Sequence, residues 1–173
     1  MMALEQAAQI VNGEMHGDNV NFASISTDSR QLKPGDLYIA LQGERFDGHD
    51  FIEQAQREGA VAAIVQTDVT APLPYIKVDN TRHALGRLAS ARRQVFDGPL
   101  VAITGSNGKT TVKEMLASIL RKQGNVLMTQ GNFNNDIGLP LTLLGLQQQD
   151  YAVIEMGANH RGEIAYLTDI AKP

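Results

Sequence analysis

Apolar and polar positions along this chain switch repeatedly between a helical and an extended period, and those switches predict its elements. Leu4, Ala7, Ala8 and Val11 recur on one helical face, and Asn12-Gly13 ends that helix. Residues 20–25 read as an extended piece, and Lys33-Pro-Gly-Asp36 as a turn. Residues 37–41 are uniformly apolar, which predicts a central strand. Asp50 stands where it could cap a helix carrying Phe51, Ile52 and Ala55 inward and closing at Gly59. Residues 60–65 and 75–78 read as strands, with Pro72 and Pro74 in the loop between them. Asn80 or Thr81 caps a helix that buries Ala84, Leu85, Leu88 and Ala89.

The alternation continues in the second half. Residues 100–103 predict a buried strand. The helix after it carries Val112, Met115, Leu116, Ile119 and Leu120 as an apolar stripe, stopped by Gly124. Residues 126–128 read as the next strand and 131–138 as a polar loop bounded by glycines. Pro140 suits the first turn of a helix over 141–146. Residues 151–156 form a strand with Glu155 near its C-terminal end, and 161–171 a short helix. Strands alternating with helices predict an α/β fold with mainly parallel sheets. Asp97-Gly-Pro99 is the expected boundary, giving a small α/β domain over 1–97 and a second α/β domain over 100–173.

The chemistry concentrates at that second start. A strand, Gly105, Ser106, Asn107, Gly108, then Lys109, Thr110, Thr111 and a helix make a phosphate cradle. Backbone N–H groups and the positive helix end would hold the phosphates. Lys109 would reach the β and γ oxygens, and the Thr110 hydroxyl would ligate Mg²⁺. The loop is shorter than the general GxxxxGK[ST] pattern, since only Ser106 and Asn107 separate Gly105 from Gly108. Glu155, a carboxylate at the end of an apolar strand downstream of such a loop, is placed to hold Mg²⁺ directly or through water. Asn134 and Asn135 either steady a phosphate or build turns. Ser26-Thr-Asp-Ser-Arg30 and the loop from Gly43 to Asp50 are polar segments, the latter beyond a strand end where open α/β sheets place ligands.

Composition narrows the partners. The 173 residues are 43% hydrophobic, enough for a real core, and the net charge of −4 argues against a nucleic-acid surface. There is no cysteine, so neither a disulfide nor a cysteine-based zinc site is available. No apolar run reaches membrane-spanning length and no signal pattern opens the chain, so a cytoplasmic protein without membrane insertion is expected.

Six stretches together make a familiar pattern: Thr27-Asp-Ser-Arg30, Pro34-Gly-Asp-Leu37, Gly43-Glu-Arg-Phe-Asp47, Thr104-Gly-Ser-Asn-Gly-Lys-Thr-Thr111, Gly131-Asn-Phe-Asn-Asn135 and Glu155-Met-Gly-Ala-Asn-His-Arg-Gly-Glu163. On these, which span almost the whole chain, it resembles the Mur ligases, the ATP-dependent amide-forming enzymes of peptidoglycan synthesis. The short phosphate loop is the form that family uses. Glu155-Met-Gly-Ala-Asn159 and the paired asparagines are most similar to the branch that adds D-alanyl-D-alanine to UDP-N-acetylmuramoyl-tripeptide through an acyl phosphate.

The resemblance implies that 1–97 binds the UDP end of the substrate and that 100–173 is the first part of a P-loop ATPase domain. It implies ATP contacts at Gly105, Ser106, Asn107, Gly108, Lys109, Thr110 and Thr111, and Mg²⁺ at Thr110 and Glu155. Lys109 and Asn135 would be catalytic, and Ser29, Arg30, Arg45, Phe46 and Asp47 would meet the uridine end. The family continues beyond Pro173 with a metal-site histidine, a carbamoylated lysine and a closing domain. This chain alone is therefore expected not to ligate, and to self-associate through an open sheet edge. Two other readings stay open. One is a nucleotide-binding module without catalysis. The other is a ligase like the folylpolyglutamate synthases, which lack a Thr-Asp-Ser-Arg uridine domain.

Overall fold

The computed structural model describes residues 1–43, 46–70 and 72–173. They divide into two compact units, Met1–Leu85 and Gly86–Pro173.

The first unit contains β1 (Met2–Ala3), α1 (Leu4–Val11), β2 (Glu14–His16), β3 (Asn21–Phe22), β4 (Ile25–Ser26), β5 (Leu37–Ile39), α2 (Ile52–Arg57), β6 (Ala62–Val65) and β7 (Tyr75–Lys77). The main sheet has the order β2-β7-β6-β5-β4. β4, β5, β6 and β7 run parallel, and β2 adds antiparallel to β7. β1 and β3 form a separate antiparallel pair. α1 ends at Asn12, which takes the left-handed conformation (φ 54°) and closes the helix with its N–H on the Ala8 and Gln9 carbonyls. Its buried residues are Leu4, Ala7, Ala8 and Val11, the face read from the sequence.

The apolar run 37–41 supplies β5, an interior strand paired with both β4 and β6 and buried along its length, as its uniform apolarity predicts. One local expectation is corrected. The cap before α2 is Asp47, whose side chain accepts from the His49 N–H at 2.9 Å and starts a 3-10 turn over Gly48–Phe51. Asp50 lies inside that turn.

Tyr38 of β5 is fully buried, and its hydroxyl donates to the Gly48 carbonyl at 3.0 Å. Burial, with the charges of Asp28 and Asp47, pushes its phenol from 10.0 up to about 12. The neutral phenol therefore contributes stability that is complete below pH 10.0 and is lost as pH rises toward about 12. Tyr38→Phe should cost roughly 1 kcal/mol at neutral pH by stranding the Gly48 carbonyl. The gap between the two proteins should then shrink across that alkaline window. Denaturant melts at neutral and alkaline pH test this, and a gap independent of pH would refute it.

α3 (Thr81–Gln94) begins in the first unit and ends in the second. Asn80 caps it, accepting from the His83 N–H at 3.0 Å. The division falls inside this helix, upstream of the Asp97–Pro99 turn, because Ala89 and Phe96 join the second unit's core with Leu100, Leu139, Leu143 and Ile154.

The second unit contains β8 (Leu100–Ile103), α4 (Lys109–Leu120), β9 (Val126–Met128), α5 (Gly138–Leu144), β10 (Tyr151–Glu155) and α6 (Glu163–Ala171). The sheet is parallel in the order β8-β10-β9. β10 is the central strand and its Ala152, Val153 and Ile154 are fully buried. β8, expected to be buried, is an edge strand with Val101 41% exposed.

The α4 stripe also departs from expectation. Val112, Met115 and Ile119 are each more than half exposed, whereas Lys113 and Ala117 are buried. The inward positions of α4 are Lys113, Leu116, Ala117 and Leu120, so Leu116 and Leu120 of the stripe keep the expected face while its other three members lie outside. The phosphate loop fixes this rotation by turning Thr110 toward Glu155 of β10.

Candidate functional site

Parallel pairing places Glu155 opposite Ile103, so the carboxylate stands beside the point where β8 gives way to the glycine loop. The loop over 104–108 is exposed and enters α4 through Gly108, at φ 76°. A side chain at that φ would strain the backbone, which is why glycine stands there. No side chain caps α4, and its first intrahelical bond is the Val112 N–H to the Gly108 carbonyl at 3.0 Å. The first-turn N–H groups of Lys109, Thr110 and Thr111 are thus directed out of the helix end, toward an anion. The Lys109 ammonium arches back over the loop and donates to the Gly105 carbonyl at 2.7 Å.

Three side chains converge on Glu155, itself only 3% exposed. Thr110 Oγ1 donates to Oε2 at 3.0 Å, and Asn134 Nδ2 donates to Oε1 at 3.0 Å. Lys113 Nζ lies 3.8 Å from Oε2. The Glu155 N–H donates to the Thr129 hydroxyl at 2.9 Å, fixing the end of β10 to the residue after β9.

Thr110 and Glu155 together present a hydroxyl and a carboxylate, both hard oxygen donors, at the mouth of the loop. Among the described residues no group of three or more His, Cys, Asp or Glu side chains could hold a metal ion. Two protein oxygens make no closed cage. They do suit Mg²⁺, which keeps water and is commonly held by one or two protein oxygens together with substrate phosphates.

Asn135 acts within its own loop, where its Oδ1 accepts from the N–H groups of Gly138 at 2.8 Å and Ile137 at 3.3 Å and so opens α5. Its neighbour Asn134 is the amide that reaches Glu155. The sequence singles out neither Thr129 nor Lys113, and it offers Asn134 as a phosphate contact or a turn former. Lys113 carries no sequence signal for this place, since it lies off the stripe of Val112, Met115, Leu116, Ile119 and Leu120 and reads as surface.

In the first unit, the loops after β4 and β5 open at the same end of the sheet, because those strands are parallel neighbours. Ser29 is buried there. Arg30 grips Asp28 with Nε and Nη2, each at 2.9 Å, and this bond holds the Asp28 carboxyl down at about 2. The Arg30 side chain is nevertheless 79% exposed. Phe46 is exposed with its ring 6.3 Å from that of Phe51. Asp47 is engaged by both His49 and Gln42. Arg45 lies outside the described residues.

Comparison with known proteins bears on this arrangement directly. Residues 103–173 match the Mur ligase middle domain, and residues 21–93 match the profile described as Mur ligase family, catalytic domain. The chain belongs to the Mur ligase family. It is 50% identical over 99% of its length to the UDP-N-acetylmuramoyl-tripeptide–D-alanyl-D-alanine ligase of Escherichia coli, covering 38% of that protein. A crystal structure of MurF from Acinetobacter baumannii superposes with a TM-score of 0.92 at 44% identity, over 98% of this chain and 38% of that one. MurF ligase from Thermotoga maritima, solved in complex with ADP, superposes at 0.79 with 39% identity, over 86% of this chain and 35% of that one. This Mur ligase chain therefore spans somewhat over a third of the length of these relatives. Among its described residues no helix is long and apolar enough to cross a membrane.

Proposed function

We propose that this chain is the substrate- and ATP-binding portion of a cytoplasmic ligase that joins D-alanyl-D-alanine to UDP-N-acetylmuramoyl-tripeptide. The observation that carries the reading is the Thr110–Glu155 contact at the mouth of an uncapped helix behind Gly105–Gly108, in a chain half identical to an enzyme of that activity. In this reading the tripeptide carboxylate attacks the γ-phosphorus of ATP and ADP leaves. The amine of D-alanyl-D-alanine then attacks the acyl carbon and phosphate leaves. The loop N–H groups and Lys109 bind and orient the phosphates, and Thr110 and Glu155 would hold Mg²⁺, which would offset phosphate charge. Asn134 orients the Glu155 carboxylate, and Asn135 sets the loop that carries Asn134. Ser29, Arg30, Arg45, Phe46 and Asp47 receive the uridine end, and residues 1–97 and 100–173 act as the two functional domains.

Calorimetry of the chain tests this with ATP–Mg²⁺ and, separately, with the UDP-linked tripeptide. Both should bind. Arg30→Ala should weaken the UDP ligand and leave ATP unchanged, because Arg30 belongs to the other unit from Lys109. Loss of ATP binding with the uridine ligand unaffected would reverse the assignment. The chain alone should release no ADP in response to D-alanyl-D-alanine. Exposed Val112, Met115 and Ile119, with Val101 on the β8 edge, support self-association, which light scattering on the same samples would reveal.

A further inference from the structure

Lys113 is the charged side chain of α4 that is turned into the protein. It is 1% exposed, a depth at which lysine is rare unless paired. Its Nζ donates to the Thr129 carbonyl at 2.8 Å and stands 3.8 Å from Glu155 Oε2 and 3.4 Å from Glu114 Oε1. Thr129 in turn receives the Glu155 N–H on its hydroxyl. The ammonium is therefore tied to both the strand end that carries Glu155 and the carboxylate itself.

The place of this charge is unusual. Oε2 is the oxygen that also meets Thr110, so the metal-facing oxygen has a hydroxyl on one side and a fixed cation on the other. A buried carboxylate destabilises the fold unless a partner compensates its charge. Lys113 supplies that compensation from within the fold. The same positive charge repels a divalent cation approaching Oε2. A cation arriving alone meets a Glu155 whose charge Lys113 already offsets in part, the same ammonium also facing Glu114. A cation arriving with polyphosphate brings its own negative charge and is not opposed in the same way.

We propose that Lys113 is a positioning residue that fixes the Glu155 carboxylate and weakens the site's hold on a free divalent cation, so that the metal is retained only together with a nucleotide. The inference rests on the reading of Thr110 and Glu155 as the metal-binding pair. Lys113 needs to touch neither nucleotide nor metal to do this. It acts through Glu155.

The test uses Mn²⁺ as the probe, with binding read from the free-ion paramagnetic resonance signal, on the full 173-residue chain. At about pH 8, well above the ordinary carboxylate range, Lys113→Met should bind Mn²⁺ without nucleotide at least about fivefold more tightly than wild type. Lys113→Arg, which keeps the charge, should stay near the wild-type value. A role limited to supporting the fold would lower the melting temperature of Lys113→Met without tightening Mn²⁺, and that result overturns the proposal. Should Lys113→Met fail to fold, the wild-type chain still decides. Its buried Lys113 ammonium proton–nitrogen resonance should shift with Mg²⁺ and ATP together and hardly move with Mg²⁺ alone. A resonance indifferent to both overturns the proposal. If wild type binds ATP with no dependence on Mg²⁺, the metal-pair reading itself fails. If that dependence holds and Lys113→Met leaves Mn²⁺ affinity unchanged, only the role of Lys113 fails.

Discussion

Lys109→Ala should lower the affinity of this chain for ATP–Mg²⁺ by on the order of 10–100-fold while leaving its stability almost unchanged. The magnitude follows from losing charge-assisted hydrogen bonds to phosphate, each about twice as strong as a neutral one. The small stability effect follows from the structure: the Lys109 ammonium donates to the Gly105 carbonyl of an exposed loop, and that carbonyl can turn to water instead. Ligation by a longer protein carrying the same change should fall by on the order of 10²-fold or more, because a preorganised cation serves the charge developing on the transferred phosphoryl group. Calorimetry and thermal melts of the two proteins read both halves of the expectation. Near-normal ATP affinity would sink the phosphate-loop assignment. A collapsed melt would mean that Lys109 supports the fold instead.

Gly138→Ala should damage both stability and the site. A β-carbon at Gly138 would stand 2.4 Å from the Phe133 Cα and 2.6 Å from its carbonyl carbon. Those are backbone atoms and cannot swing aside. The loop must move, at a cost of about 1–3 kcal/mol or more for overpacking of this kind. Phe133 immediately precedes Asn134, which holds Glu155 Oε1, and the Gly138 N–H is itself bonded to Asn135 Oδ1 at 2.8 Å. Displacing the loop therefore releases one side of the Glu155 carboxylate. Denaturant melts should register the destabilisation, and the Mg²⁺-dependent part of ATP affinity should fall with it. Wild-type stability in this variant would contradict the packing, and lost stability with intact Mg²⁺ dependence would detach Asn134 from the site.

Neighbours along the chain specify the helices, the longer strands and the cradle, though not the short β1 and β2. Local signals do this well: the period of apolar residues fixed α1 with its buried Leu4, Ala7, Ala8 and Val11, and Gly105, Gly108, Lys109 and Thr110 announced the loop because its conformation depends on neighbours in the chain. The strand carrying Glu155 was likewise visible, since a continuous apolar run ending in a carboxylate stands out. Whatever depends on rotation or partnership is set by packing between elements. The apolar period of α4 gave a stripe but not the direction it faces. Packing turned Lys113 and Ala117 to the sheet and left Val112, Met115 and Ile119 outside, because Thr110 had to meet Glu155 from the neighbouring parallel strand. Two adjacent asparagines are equivalent in a sequence, and only the close approach of Gly138 and Gly157 to the loop sends Asn134 to the carboxylate and leaves Asn135 to open α5. The buried lysine beside Glu155 is the same kind of fact: its charge reads as surface in one dimension, and the fold alone supplies the carbonyl and carboxylate that let it stay inside.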